Sequence, residues 1–325
     1  MNHRNTRQSL FAMLATCALA SAVNATAQTW PARPIRMIVP FAAGGGTDIQ
    51  ARLFSAKLYP ALGQTVIVEN RPGGGGNIGA ELVAKAQPDG YTVLFQSASL
   101  AVNQTLYSKL NYSAVRDLAP VMLVSSTPLI LVIHPSVPAR NVKDLIALGR
   151  AKPDTFNFGS NSTGSTSHLA AELMKTMAGV KMTHIPYKGS GQGTIALIGG
   201  EIDLIFTTMP PAVQHVRSGK MRGLAVTTLK RAAIMPELPT MNETLKGFEM
   251  DNWYGMFFPA NTSRDIITRY HAEMIKVLKD HDVRSLMEKD GSEPLGSTPE
   301  EFGAYFKREV DKYANVIRAS GARAD

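Results

Sequence analysis

The chain holds one cysteine, Cys17, and it lies in a stretch that the sequence marks for removal on export. A mature chain without cysteine has no disulfide, no thiolate metal site and no cysteine nucleophile. Histidine is sparse as well. His134, His168, His184 and His215 stand 16 or more residues apart, and neither H-x-x-x-H nor H-E-x-x-H occurs, so metal-ligand spacing is missing. The G-x-S-x-G elbow that exposes a nucleophilic serine is absent too. Outside the N-terminus no apolar run approaches the ~20 residues that cross a bilayer. Basic residues are scattered without interleaved aromatics, which argues against a nucleic-acid surface.

What is present begins with an export signal. Arg4 and Arg7 precede an uncharged apolar stretch over residues 10–23, and Ala25-Thr26-Ala27 is a small-residue cleavage site. Thr16-Cys17 loosely resembles a lipoprotein box, but Thr16 stands where Gly, Ala or Ser is expected. Residues 1–27 therefore read as a signal peptide, giving a soluble periplasmic protein that starts at Gln28. Intact mass of the exported protein is the check. A diacylated product beginning at Cys17 would overturn the assignment. Loss of Arg4 and Arg7 leaves 32 basic against 26 acidic residues, a net +6 that favours solubility and, mildly, anionic ligands.

Strand and helix signals alternate along the mature chain. Apolar periodicity predicts strands at 35–41, 65–69 and 91–95, with helices at 49–58 and 77–86 between them. This is the β-α-β-α-β order of a mainly parallel sheet covered by helices. Extended stretches follow at 121–124 and 129–133, interrupted by Pro128. A second alternation runs through helices at 142–151, 168–178 and 193–198 and strands at 156–158, 180–185, 202–206 and 224–226. A last apolar strand at 253–258 leads into helices at 264–279 and 299–319. The pattern predicts two lobes joined by two extended crossings, with the C-terminal helices returning to the first. The expected boundaries are residues 28–125 plus 252–325 for one lobe and 126–251 for the other.

Two strand-to-helix junctions stand out. The first strand runs into Ala42-Ala43-Gly44-Gly45-Gly46-Thr47-Asp48, and the 156–158 strand runs into Gly159-Ser160-Asn161-Ser162-Thr163-Gly164-Ser165-Thr166-Ser167. Helix starts carry unpaired N–H groups and about half a positive charge, so they attract anions. Neither loop has a Lys or Arg. Many short donors with few reactive groups suit holding a small anion better than transforming it.

Other motifs read as structural. Gly74-Gly75-Gly76-Asn77-Ile78-Gly79 satisfies G-x-G-x-x-G, but it follows Arg71-Pro72 rather than the first strand, and residues 96–100 carry no acid for a ribose. A tight glycine loop is the better reading. Thr166 or Ser167 reads as a helix N-cap, with His168 in the first turn rather than serving a nucleophile. Asp48 reads as a cap or a loop-fixing carboxylate.

The chain resembles a known family in several long segments. They include Ile38-Val39-Pro40-Phe41 with Gly44-Gly45-Gly46-Thr47-Asp48, and Val68-Glu69-Asn70-Arg71-Pro72 with the glycines after it. Ala86-Gln87-Pro88-Asp89-Gly90-Tyr91-Thr92, Ser162-Thr163-Gly164-Ser165-Thr166-Ser167-His168, Ile185-Pro186-Tyr187-Lys188-Gly189 and Gly199-Gly200-Glu201-Ile202-Asp203 continue it. These are similar to the Bug (TctC-like) extracytoplasmic solute receptors of tripartite tricarboxylate transporters. The resemblance implies an α/β, two-lobed periplasmic-binding-protein fold (type II-like) without catalytic activity or cofactor. It implies a monomer that takes a small di- or tricarboxylate, acidic amino acid or aromatic acid to the transporter's membrane subunits. Carried over by position, the ligand site comprises Ala43, Gly44, Gly45, Gly46, Thr47 and Asp48 from the first loop. The second loop supplies Ser160, Thr163, Gly164, Ser165 and Thr166; Gln96, Ser97 and Asp203 complete the set. The rival classes are a secreted α/β hydrolase, which needs the absent elbow, and a binding protein acting as a sensor partner.

Overall fold

The computed structural model describes residues 30–320, and all elements below belong to the compact unit Arg33–Asp325. The signal peptide, Cys17 and the cleavage site after Ala27 lie outside the described residues. Ten strands form one sheet: β1 Ile35–Val39, β2 Val66–Asn70, β3 Thr92–Ser97, β4 Leu118–Ile133, β5 Asn157–Ser160, β6 Thr183–Pro186, β7 Leu204–Thr208, β8 Arg222–Val226, β9 Asp251–Pro259 and β10 Glu293–Pro294. Their order is β2-β1-β3-β9-β4-β7-β5-β6, with β8 and β10 also on β4.

β1 pairs parallel with β2 and β3, and β5 pairs parallel with β6 and β7. β9 and β4 run antiparallel to their neighbours. The inner parallel strands β1 and β3 are buried along almost their whole length, as befits strands covered on both faces, whereas the edge strands β2 and β6 are mostly part-exposed. Met37, Ile38 and Val39 in β1 are all fully buried.

The helices are α1 Gly46–Leu62, α2 Asn77–Ala84, α3 Ser99–Leu106, α4 Val142–Ala151, α5 Thr166–Ala178, α6 Ser190–Ile198, α7 Met209–Arg217, α8 Arg264–Lys279, α9 His281–Lys289 and α10 Pro299–Ser320, besides three single turns. α1 buries Ala51, Phe54, Leu58 and Leu62 at helical spacing. It runs four residues past the predicted end at 58. Pro60 removes one donor in the last turn, but the stop comes from Gly63, left-handed at φ 69°, whose N–H bonds Tyr59 O at 2.9 Å.

Pro128 does not interrupt the long extended stretch. β4 is one 16-residue strand, and Pro128 is the last residue paired with β9, just before Leu129 begins the ladder to β7. A missing N–H costs least where a strand changes partner. Helices α3, α7 and α9 are additions to the sequence-based expectation. α7 opens Met209-Pro210-Pro211, and proline in the first turn starts a helix as readily as it ends one.

The glycine loop is tight, as the sequence suggests. Gly73, Gly74, Gly75 and Gly76 all have positive φ, and a Cβ on Gly75 would sit 2.5 Å from Thr163 O. The C-terminal α10 is fastened by Trp253 of β9. Its ring meets Phe302, Tyr305 and Phe306 edge-on, and its Nε1–H donates to Glu309 at 3.0 Å.

Candidate functional site

One pocket gathers the ends of several elements. It is lined by Phe41, Gly45, Thr47, Ser97, Asn161, Ser165, Thr166, Ser190, Thr208, Asn252 and Tyr254. It is narrow, with about 20 Å³ open to the centre of a water-sized sphere, where about 10–15 Å³ holds a single water. No lining residue is charged.

Four helix starts meet there. Gly45 is the N-cap of α1, extended at φ −87°, and Thr47 lies in the first turn. Ser165 caps α5, its Oγ accepting from His168 N–H at 3.2 Å, so the cap falls one residue before the predicted Thr166 or Ser167. Ser190 is the first residue of α6, and Thr208 caps α7. Each start turns unpaired N–H groups and partial positive charge toward its cap.

Hydroxyls tie these starts together. Gly46 N–H donates to Ser190 Oγ at 3.2 Å, and Thr208 Oγ1 donates to the same oxygen at 3.1 Å. Ala42 N–H bonds Lys188 O at 2.9 Å beside them. Thr166 Oγ1 donates to Asn252 Oδ1 at 2.7 Å. Tyr254, two residues on along β9, points its hydroxyl to the same face, toward Asn252 and Thr47. Burial pushes its phenol pKa up, so the hydroxyl stays protonated. Stacking on Phe95, with centroids 5.7 Å apart, holds the ring. Asn161 is 8 % exposed and its Oδ1 has no hydrogen-bond partner.

Of the expected residues, Gly45, Thr47, Ser97, Ser165 and Thr166 line this pocket. Gly46 stands next to it through Ser190. Ala43 and Gly44 lie on the open side of the loop. Asp48 is a loop-fixing group: its carboxylate accepts from Gly44 N–H at 2.9 Å, from Asn70 at 2.9 Å and from the Arg52 guanidinium. Burial opposes its charge, but these donors win and lower its pKa. Gln96 is fully buried and its Oε1 accepts from Ser97 N–H. Thr163 and Gly164 face Tyr107 and Asn103 instead. Asp203 does not join the pocket; its carboxylate accepts from Asn157 N–H at 2.7 Å, fixing the start of β5.

Ser160 makes the one serine–histidine side-chain contact among these residues, 2.6 Å from His184 Nε2. Ser160 donates its own proton to Ser162 O at 3.0 Å, so the imidazole is the donor, not a base. Burial drives His184 down to about 3, and Ser160 is fully buried outside the pocket. The arrangement offers many uncharged hydrogen-bonding groups in a positive field and no nucleophile–base pair.

Residues 50–322 match the family described as "Tripartite tricarboxylate transporter family receptor", TctC. The chain belongs to this receptor family. Protein BugT of Bordetella pertussis is 37% identical over 313 residues, 95% of each chain. Among solved structures, R. palustris Rpa4515 with adipate superposes with a TM-score of 0.88 at 33% identity, covering 90% of this chain and 99% of that one. MatC (Rpa3494) from Rhodopseudomonas palustris, with bound malate, gives 0.85 at 29% identity, covering 89% and 100%. The fold is thus that of the family's periplasmic binding proteins. Among the described residues no helix is long and apolar enough to cross a membrane.

Phe41, Asn161, Ser190, Thr208, Asn252 and Tyr254 line the pocket without having been expected from the sequence. Ser190 follows Lys188-Gly189 at a helix start, and Thr208 precedes the proline-led start of α7, so both carry the helix-start signal that singles out the first two loops. Asn252 and Tyr254 carry none, since their place depends on which face of β9 meets the loops.

Proposed function

We propose that this receptor captures a small carboxylate in the pocket and delivers it to the membrane subunits of a tripartite tricarboxylate transporter. One observation carries the reading: four helix starts and a ring of hydroxyl and amide groups surround a pocket with no charged side chain. Such a site holds an anion by oriented dipoles and short donors, without chemistry. The adipate and malate of the two related structures are ligands of this kind. The protein acts as an exported periplasmic monomer, and no catalytic step is assigned to it.

Its lobes are residues 28–125 with 252–325, and 126–251. They close over the ligand, bringing the Gly45 loop onto the Ser190 start. The bonds from Ala42 to Lys188 and from Gly46 to Ser190 join segments of the two lobes and support this.

A thermal-shift screen of mono-, di- and tricarboxylates, aromatic acids and neutral sugars tests the function. Carboxylates are expected to stabilise the mature protein, by about 2.7 kcal/mol at a hundredfold excess over Kd, a rise of a few degrees in Tm. Stabilisation by sugars and not by carboxylates would sink the reading.

A further inference from the structure

The glycine run after β2 and the Thr163-Gly164 pair do not line the pocket, yet the structure sets them against each other. Gly75, in the lobe that holds residues 28–125, presents a bare Cα to Thr163 of the other lobe. A Cβ added to it would sit 2.5 Å from Thr163 O and 2.7 Å from Tyr107 Oη. Gly164 repeats the arrangement from the opposite side. The place its Cβ would take is filled by Asn103 Oδ1, with Leu106 Cδ2 at 2.9 Å, both from α3 of the first lobe. Asn103 is fully buried and also fixes the glycine run, its Nδ2–H donating to Gly75 O at 2.9 Å. Main chains approach this closely only where side chains are missing. The contact adjoins the pocket on each lobe. Thr163 and Gly164 lie between the lining residues Asn161 and Ser165, and Gly76 stands beside Phe41, which also lines it.

We propose that this glycine-to-backbone seam is a clasp that holds the lobes shut and sets how long captured carboxylate stays bound. It rests on the two-lobed capture reading above. Gly75, Gly164 and Asn103 are positioning residues: none lines the pocket, and each acts through the closed arrangement of the two loops. Ligand enters the open form before the seam has formed, so the seam has little influence on association. Escape requires the seam to part, so its close fit slows dissociation. The run that satisfies G-x-G-x-x-G thus serves no nucleotide. It clears side chains from a surface that has to meet another stretch of main chain.

The test compares two adjacent glycines that share a backbone conformation but not a neighbour. Gly74 and Gly75 are both left-handed, at φ 55° and 66°. A Cβ on Gly74 would meet only Asn77 Cβ and Ile78 Cγ1 of its own lobe, at 3.6 and 3.8 Å. Alanine at either position therefore carries similar backbone strain, and only Gly75→Ala reaches across the seam. Succinate, malate, adipate and citrate are titrated into the mature protein, and the tightest binder serves as the probe in stopped-flow kinetics. Gly75→Ala is expected to release it at least tenfold faster, with association within threefold of wild type. Gly74→Ala should keep both rates within threefold despite a comparable drop in Tm. Asn103→Ala frees Gly75 O without adding a side chain. It should release the probe at least threefold faster, and it carries the test alone if Gly75→Ala does not fold. Matching dissociation rates in the two glycine variants, or wild-type release from Asn103→Ala, would overturn the clasp and leave the capture reading in place. Failure of all four acids to bind the wild type would overturn the capture reading and the clasp with it.

Discussion

Gly45→Val is expected to weaken capture of the best carboxylate about a hundredfold, equivalent to about 2.7 kcal/mol of binding energy. The cause is space, not backbone strain. Gly45 sits at φ −87°, ψ 167°, an extended conformation that valine adopts freely. A Cβ there, however, would lie 2.9 Å from Ser190 Oγ. That oxygen cannot swing aside cheaply, because Gly46 N–H and Thr208 Oγ1 both donate to it. The valine methyls would then hold the first loop off the α6 start and fill part of a narrow pocket. Stability should fall only by about 1 kcal/mol, since valine is a poor N-cap. Gly44→Ala should behave in the opposite way. Gly44 has φ 81°, and a methyl added there would meet nothing within 4 Å. The left-handed backbone therefore costs about 1–2 kcal/mol of stability while affinity stays close to wild type. Titration and thermal melts of both variants separate the two effects. Gly45→Val binding within threefold of wild type would remove this loop from the site.

The part of this site that can be read in advance is the part written locally. A strand, a loop of glycines and hydroxyls, and a helix start are contiguous, so the two loops are visible in the sequence as helix starts suited to an anion, while Gly45, Thr47, Ser165 and Thr166 are singled out within them by the resemblance. The rest depends on register and topology. Asn252 and Tyr254 reach the pocket because β9 crosses beside β3, pairing Gln96 with Gly255 and Ser97 with Tyr254, and because i and i+2 share a face. No local pattern encodes that pairing. Asp203, carried over by the resemblance, stands just before β7, and its carboxylate serves the Asn157 N–H at the other end of the parallel strands. Helix α7 is hidden by Pro210-Pro211, a signal whose sense depends on whether it falls in the first turn or beyond it.

Acid should weaken the fold in the region just behind the second loop, with a large share traceable to His168. Its ring stacks on His184 with centroids 4.1 Å apart, and both stack with Phe158. Burial lowers His168 to about 4, with Lys175 adding to the effect. Burial, then the neighbouring His168, lower His184 to about 3. Glu172 stands 3.7 Å from His168 Nε2, the one carboxylate within ion-pair distance of this ring among the described residues. Both folded values lie below the unfolded value near 6.5, so the unfolded chain takes up protons first as pH falls. The stabilisation is complete above pH ~6.5 and is lost as pH drops through the folded values, near 4 and then near 3. For His168 alone this amounts to about 3 kcal/mol by pH 4; the less deeply buried His184 adds less than its shift suggests. The loss reaches the loop because Gly164 N–H donates to His168 Nδ1 and Ser160 contacts His184. His168→Phe keeps the ring stack and removes the titration. It should cost about 1 kcal/mol at pH 7, where Gly164 N–H loses its acceptor, yet lose much less than wild type between pH 6.5 and 4. Denaturant unfolding at half-unit pH steps gives both slopes, and equal slopes would show that the buried imidazole is not what makes this fold acid-sensitive.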